Sequence, residues 1–212
     1  MRIIKYGHAC IGIEVKGLTL LVDPGAYNPT PELSKLDAIL ITHEHQDHVS
    51  PDSLRSLVSA HPGVEIITHN GLAKSLEGIN AKITYVTDGE ALTRKGVTIE
   101  SFGKMHACIH RDIPLVQNTG FMIDGYLYYP GDAFHVPEKH VEVLALPVAA
   151  PWMRIEECIE YAKHIKPKSV FPVHDGMLKD FAIGMTRRIP EMLLAKHDIA
   201  FVDMMPGDSK EF

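Results

Sequence analysis

Cysteine is scarce in this chain: Cys10, Cys108 and Cys158 are the only three, far apart and without a Cys-x-x-Cys pair. That excludes a disulfide framework and a cysteine-built zinc finger. It suits a reducing compartment, so the cytoplasm is the expected location. Long hydrophobic runs are missing as well. No stretch approaches the ~20 apolar residues that span a bilayer. Met1 to His8 reads straight into a strand, without the apolar core and small-residue cleavage site of a signal peptide. A long basic run is also absent and the net charge is −6, so neither nucleic acid nor a membrane is an expected partner. With no Ser/Gly-rich linker, low-complexity tract or fixed-period repeat, residues 1–212 read as a single domain with room for a full core.

What the chain has in excess is histidine, 13 residues in 212. His43-Glu44-His45-Gln46-Asp47-His48 places three imidazoles and an aspartate within six positions. Neutral imidazoles packed together need hydrogen-bond partners, and protonated ones repel. A divalent cation resolves both problems, because neutral imidazole and carboxylate oxygen are ordinary ligands of zinc and related ions. The run follows Leu36 to Thr42, a mostly apolar stretch with buried-strand composition, so its side chains belong at the rim of a sheet. It is not the His-Glu-x-x-His of helical zinc proteases. The chain reads as a metalloenzyme.

Strand-like segments are expected at Ile3 to Val15 with a break near Gly7, Leu18 to Val22, Ala38 to Thr42, Val64 to Thr68, Lys82 to Val86 and Gly96 to Phe102. More follow at Gly120 to Ile123, Tyr126 to Tyr129, Val141 to Leu146 and Ser169 to Val173. Gly17 and Asp124-Gly125 mark hairpin turns. Helices are expected over Pro51 to Ala60 with Ser50 as N-cap, weakly around Leu72 to Leu76, over Ile155 to Ile165, and over Phe181 to Lys196 with a kink or break at Pro190. Strands dominate both halves and each half closes with helices. Two packed sheets with helices outside fit this pattern better than one doubly wound sheet.

Three later polar residues each follow an apolar strand: His106, Asp132 in Tyr128-Tyr129-Pro130-Gly131-Asp132, and His174 after Ser169 to Val173. Strand ends gather at one rim, where these could meet His43 to His48. Together with Leu21-Val22-Asp23-Pro24-Gly25 and Thr42 to His48, they resemble the metallo-β-lactamase superfamily over nearly the whole chain. The resemblance implies an α+β fold, the four-layer αββα sandwich of two mixed β-sheets flanked by helices. It also implies two divalent metal ions, zinc first, with manganese or iron accepted by the same donors. On this pattern His43, His45 and His106 hold one ion, and Asp47, His48 and His174 hold the other. Asp132 bridges, and Asp23 supports the ligand loop from behind. His110, four residues past His106, is the alternative third ligand of the first set. Tyr6-Gly7-His8-Ala9-Cys10 and Thr119-Gly120-Phe121 are similar to the small hydrolases grouped with ascorbate-6-phosphate lactonase.

By that resemblance the chain is a hydrolase that uses hydroxide held between two metals on an ester, lactone or phosphoester of a small-molecule substrate. Asp47 and Asp132 are its catalytic carboxylates. His8, His69, His110, His135, Trp152 and Arg154 are candidates for the substrate pocket, although Trp152 reads more readily as packing. A phosphodiesterase or nuclease, a di-iron redox protein and an inactive binding module are the alternatives. The first lacks a basic groove here, the second lacks room for a flavin domain, and the third usually loses ligands. Relatives in this family often self-associate as homo-oligomers, and no residue pattern fixes an interface. The substrate, the metal and the oligomeric state stay open at this level.

Overall fold

The computed structural model describes Met1–Phe212. Seven strands lie in the first half: β1 (Arg2–Lys5), β2 (Ile11–Val15), β3 (Leu18–Val22), β4 (Ala38–Leu40), β5 (Glu65–Thr68), β6 (Lys82–Tyr85) and β7 (Ala91–Arg94). Seven follow: β8 (Val97–Phe102), β9 (Gly120–Ile123), β10 (Leu127–Tyr129), β11 (Val143–Pro147), β12 (Ser169–Val173), β13 (Ala200–Phe201) and β14 (Ser209–Glu211). The helices are α1 (Pro51–Ala60), α2 (Ile155–Ile165) and α3 (Asp180–Leu194).

These build two seven-stranded sheets, ordered β14-β1-β2-β3-β4-β5-β6 and β13-β12-β11-β10-β9-β8-β7. Each is mixed. β14 to β3 and β7 to β10 pair antiparallel, while β3 to β6 and β10 to β13 pair in parallel. Parallel neighbours need long crossovers, and α1, α2 and α3 supply three of them. The β2–β3 turn places Lys16 and Gly17 at φ of 48° and 77°, and the β9–β10 turn places Asp124 and Gly125 at 54° and 63°. Both are the positive-φ pairs that match strand twist. A cluster of 22 buried apolar residues, among them Ile13, Leu20, Phe121, Tyr129 and Phe171, fills the space between the sheets. Smaller clusters seat α2 and α3 on the second sheet and α1 on the first. This is the expected αββα sandwich.

Strand direction decides where the polar residues emerge. In the first sheet β1, β3, β4 and β5 run the same way, so His8, Asp23, His43 and His69 come out at one rim. In the second, β8, β10 and β12 also share a direction, which brings His106, Asp132 and His174 to one rim.

Three expectations are corrected. The helix around Leu72 to Leu76 is only a 3-10 turn at Asn70–Leu72 followed by irregular turns, since Gly71 and Gly78 flank a segment too short to propagate. Pro190 neither breaks nor ends α3, which continues to Leu194 with the proline ring buried. Strands β7, β13 and β14 add sheet edges beyond those read from sequence.

Candidate metal centre

His43, His45 and His106 offer nitrogens that lie within 4.8 Å of one another, and so do His43, His48 and Asp132. A further group joins Asp47, His48 and His174 with His8. The structure therefore brings together all seven expected ligands. His43 Nε2 and His45 Nδ1 face each other at 3.1 Å, and the His106 ring lies 4.9 and 4.7 Å from theirs.

The far side of most of these rings is already held. His106 Nδ1 donates to the Ala107 carbonyl at 2.5 Å and His174 Nδ1 to the Ala149 carbonyl at 2.6 Å. His48 Nδ1 donates to Asp23 Oδ2 at 2.7 Å, and His43 Nδ1 lies 3.0 Å from Thr42 Oγ1. Each contact fixes the tautomer that turns an Nε2 lone pair inward. Asp23, fully buried at a φ of 47°, also accepts from the Thr42 amide at 2.8 Å and hydroxyl at 2.7 Å. It thus ties β3 to the start of the histidine loop. Gly25 lets that segment pass closely, because a Cβ there would sit 1.9 Å from the Asp47 carbonyl oxygen.

Four buried atoms at the centre find no hydrogen-bond partner: His48 Nε2, His106 Nε2, His174 Nε2 and Asp132 Oδ1. They lie near one another, with Asp132 at 3.2 Å from His48, 3.4 Å from His106 and 3.0 Å from His174. The distances suit ion pairs, yet none of the four atoms takes part in a hydrogen bond. Orphaned buried polar atoms are costly. Nitrogen and carboxylate donors so arranged fit divalent cations.

Charge within the cluster follows from burial and neighbours. Burial pushes His43 well down and His45 down, leaving both neutral. Burial also works against protonated His48 and His174, but Asp132 outweighs it with help from Asp23 at the first and Asp47 at the second. His48 is held well up and His174 is pushed up to about 9. Burial opposes ionised Asp132, and the histidines around it reverse that and hold its carboxyl well below the usual range. Protons on His48 and His174 thus occupy positions that a cation would claim. Metal uptake near neutral pH must expel them, so affinity is expected to rise with pH through the neutral range. Calorimetry of zinc uptake in buffers of different ionisation enthalpy is expected to show net proton release at neutral pH, with the share from His174 fading above about 9. Buffer-independent heats would contradict this. In the ion-free protein the raised His174 contributes stability that is complete below about 6.5 and is lost as pH rises through about 9.

Other candidates stand elsewhere. His110 is exposed and pairs with Asp112, outside the cluster that His106 joins. His106→Ala is accordingly expected to remove about one ion per chain while His110→Ala removes none, measured by elemental analysis; the reverse order would reassign the ligand. His135 borders a separate cavity with Asp88 and Lys104. His69 is buried and bonds the Thr42 carbonyl at 3.0 Å, which makes it a strut. Arg154 is exposed and holds Glu157 at the start of α2. His8 is buried rather than open to a pocket: its Nδ1 accepts from the Gly176 amide at 2.9 Å, so its proton is on Nε2, 3.2 Å from Asp47 Oδ2. With both nitrogens committed, His8 positions Asp47 and is not itself a ligand.

Trp152 is the residue that sequence reasoning undervalued. Its indole Nε1 donates to Asp132 Oδ2 at 2.8 Å, and its ring borders the cleft over the cluster. A tryptophan just after Pro151 in a loop, with a buried carboxylate in need of a donor, was the available signal. That cleft has a volume of about 290 Å³. A larger cavity of about 660 Å³ opens beside the β2–β3 turn, at the opposite rim, but its charges pair among themselves as Arg2 with Glu14 and Lys16 with Asp124. Donor chemistry, not volume, marks the site.

A family model described as the β-lactamase superfamily domain matches residues 2–174. Protein Rv0786c of Mycobacterium tuberculosis is 34% identical, covering 87% of this chain and 89% of its own. The UPF0173 metal-dependent hydrolase Ta0764 of Thermoplasma acidophilum is 25% identical, over 82% of this chain and 83% of its own. Among solved structures, Igni18, a metallo hydrolase from Ignicoccus hospitalis, is similar over 100% of this chain and 98% of its own. Its TM-score is 0.76 at 20% identity, a likeness of fold alone.

Proposed function

Because the chain belongs to the metallo-β-lactamase superfamily and is a metal-dependent hydrolase, we propose that its centre takes two divalent ions, zinc first, to cleave an ester, lactone or phosphoester of a small molecule. The observation that carries this reading is the set of four buried donor atoms left without partners at one point. His43, His45 and His106 would hold one ion, Asp47, His48 and His174 the other, with Asp132 between them. When bound, such ions supply a water of lowered pKa and an electrophilic anchor for the scissile group.

The chain's own residues prepare the rest. Asp47, its side chain 15% exposed, faces the cleft while His8 donates to its Oδ2. Burial opposes ionised Asp47, but His174, then the His8 proton and His48, outweigh it and keep the carboxylate charged, able to orient a water or pass a proton to a leaving group. Trp152 fixes the Asp132 carboxylate from the cleft side. The resemblance of Tyr6-Gly7-His8-Ala9-Cys10 to the lactonase-like branch is what supports a place near it. Free Cys10, Cys108 and Cys158 suit the cytoplasm. No helix is long and apolar enough to cross a membrane.

The test is metal content per chain by elemental analysis before and after reconstitution, followed by a screen of lactones, carboxylic esters, phosphodiesters and phosphomonoesters. About two ions per chain with hydrolysis is the expected result. Persistent failure to hold more than a trace would sink the binuclear reading.

A further inference from the structure

The cleft over the cluster has no lysine or arginine in its wall. Outside the ligand set its lining is Tyr27, Gln46, Ile109, Pro151, Trp152 and Met177, uncharged and largely apolar. Of the basic residues near the cleft in sequence or space, Lys5, Arg187 and Arg154 are paired elsewhere, while Lys179, two residues past Met177, is exposed and stands outside the wall. Lys5, fully buried, is held by Asp175 at 2.7 Å, and Arg187 donates to the same carboxylate at 2.7 Å. Arg154 pairs with Glu157, and Arg111, two residues past Ile109, is 88% exposed beside Asp112. Exposed apolar side chains also follow in sequence. Met177 leads into α3, whose Phe181 and Met185 are exposed four and eight residues further on.

An anionic group placed against this wall would lose water and gain no cation, a cost that an apolar group does not meet. Resting on the hydrolase reading above, we propose that the substrate is a carboxylic ester or lactone whose body, away from the reacting bond, is uncharged and apolar. The wall discriminates against phosphorylated or carboxylated bodies. This sets the chain apart from a lactonase acting on a sugar phosphate. The reaction adds water across the acyl–oxygen bond: that bond breaks, the acyl carbon gains a hydroxyl, and the alcohol oxygen takes a proton.

Dimethyl adipate and monomethyl adipate share the scissile bond and differ by one distal charge. On the zinc- or manganese-loaded protein, kcat/KM is expected to favour the diester by at least about 10-fold beyond the factor of two from its two equivalent ester groups. Met177→Arg, which alters the rim and no ligand, is expected to narrow that ratio by raising the monoester rate. Equal rates per ester group, or a preference for the monoester, would overturn the proposal. So would hydrolysis confined to phosphoesters. Binding gives a readout independent of turnover, because Trp152 is the only tryptophan. Its fluorescence is expected to respond to heptan-2-one and not to 6-oxoheptanoate, in the ion-free protein as well as the loaded one. That binding preference without any hydrolysis would overturn the hydrolase reading and leave the pocket assignment standing. No preference between the ketones would overturn the pocket assignment.

Discussion

Asp132→Ala is expected to lower kcat/KM by about 10³-fold or more, roughly 4 kcal/mol of transition-state stabilisation. It should also abolish tight metal binding. Its carboxylate joins groups from both candidate ligand sets: it lies 3.0–3.4 Å from His48, His106 and His174 and accepts from Trp152 at 2.8 Å. The fold is expected to survive, because the backbone amide of residue 132 keeps its bond to Asn118 Oδ1 at 3.0 Å and neither sheet leans on the side chain. Without that carboxylate, His48 keeps Asp23 and His174 keeps Asp47 as acidic partners, so neither imidazole is left without a counter-charge. Far-ultraviolet circular dichroism should be unchanged and the ion-free Tm should move by only a few degrees. A mutant that retains both ions and activity would remove Asp132 from the centre. One that unfolds globally would show the cluster to be a structural element first.

Asp23→Ala should strike stability and metal affinity together. Its loss strands three buried donors: the Thr42 amide, the Thr42 hydroxyl and His48 Nδ1. At about 1–3 kcal/mol for each unsatisfied group, and with partial relaxation, the expected cost is about 3–5 kcal/mol. For a chain of this size that is a fall in Tm of about 10 °C. His48 also loses the partner that orients its ring, so affinity should weaken by about 10–100-fold even where the protein stays folded. The two effects separate in a titration of zinc by calorimetry at a temperature well below the mutant's Tm. Wild-type affinity there, alongside the reduced Tm, would make Asp23 a folding residue only.

The metal loop was legible because its physics is local. Apolar Leu36 to Thr42 followed by alternating histidine and acid has few folded solutions, and the structure has that strand ending at Leu40 with His43 at the rim. His106, Asp132 and His174 were legible for the same reason, each being polar at an apolar strand's end. What escaped depends on distant partners. β14 is Ser-Lys-Glu, exposed throughout, and is a strand only because β1 offers it an edge. β7 alternates between half-buried and exposed with no fully buried residue, so its apolar signal is faint. The roles of His8 and Trp152 arise from partners distant in sequence, Gly176 and Asp132, 168 and 20 positions away, so local pattern alone could not assign them. Pro190 shows the limit of a local rule: α3 tolerates its missing amide because the ring is buried in packing that a propensity cannot see.

The donors to each candidate ion come from both sheets, His43 and His45 from one with His106 from the other, and Asp47 and His48 from one with His174 from the other. Bound ions would therefore rivet the two halves of the sandwich across their open end, where the apolar core stops. Removing them would leave that end free to gape and lower the threshold for proteases to reach the strands behind it. A cell starved of metal would then do more than idle this enzyme. It would shorten the lifetime of every copy, so that abundance itself would track metal supply.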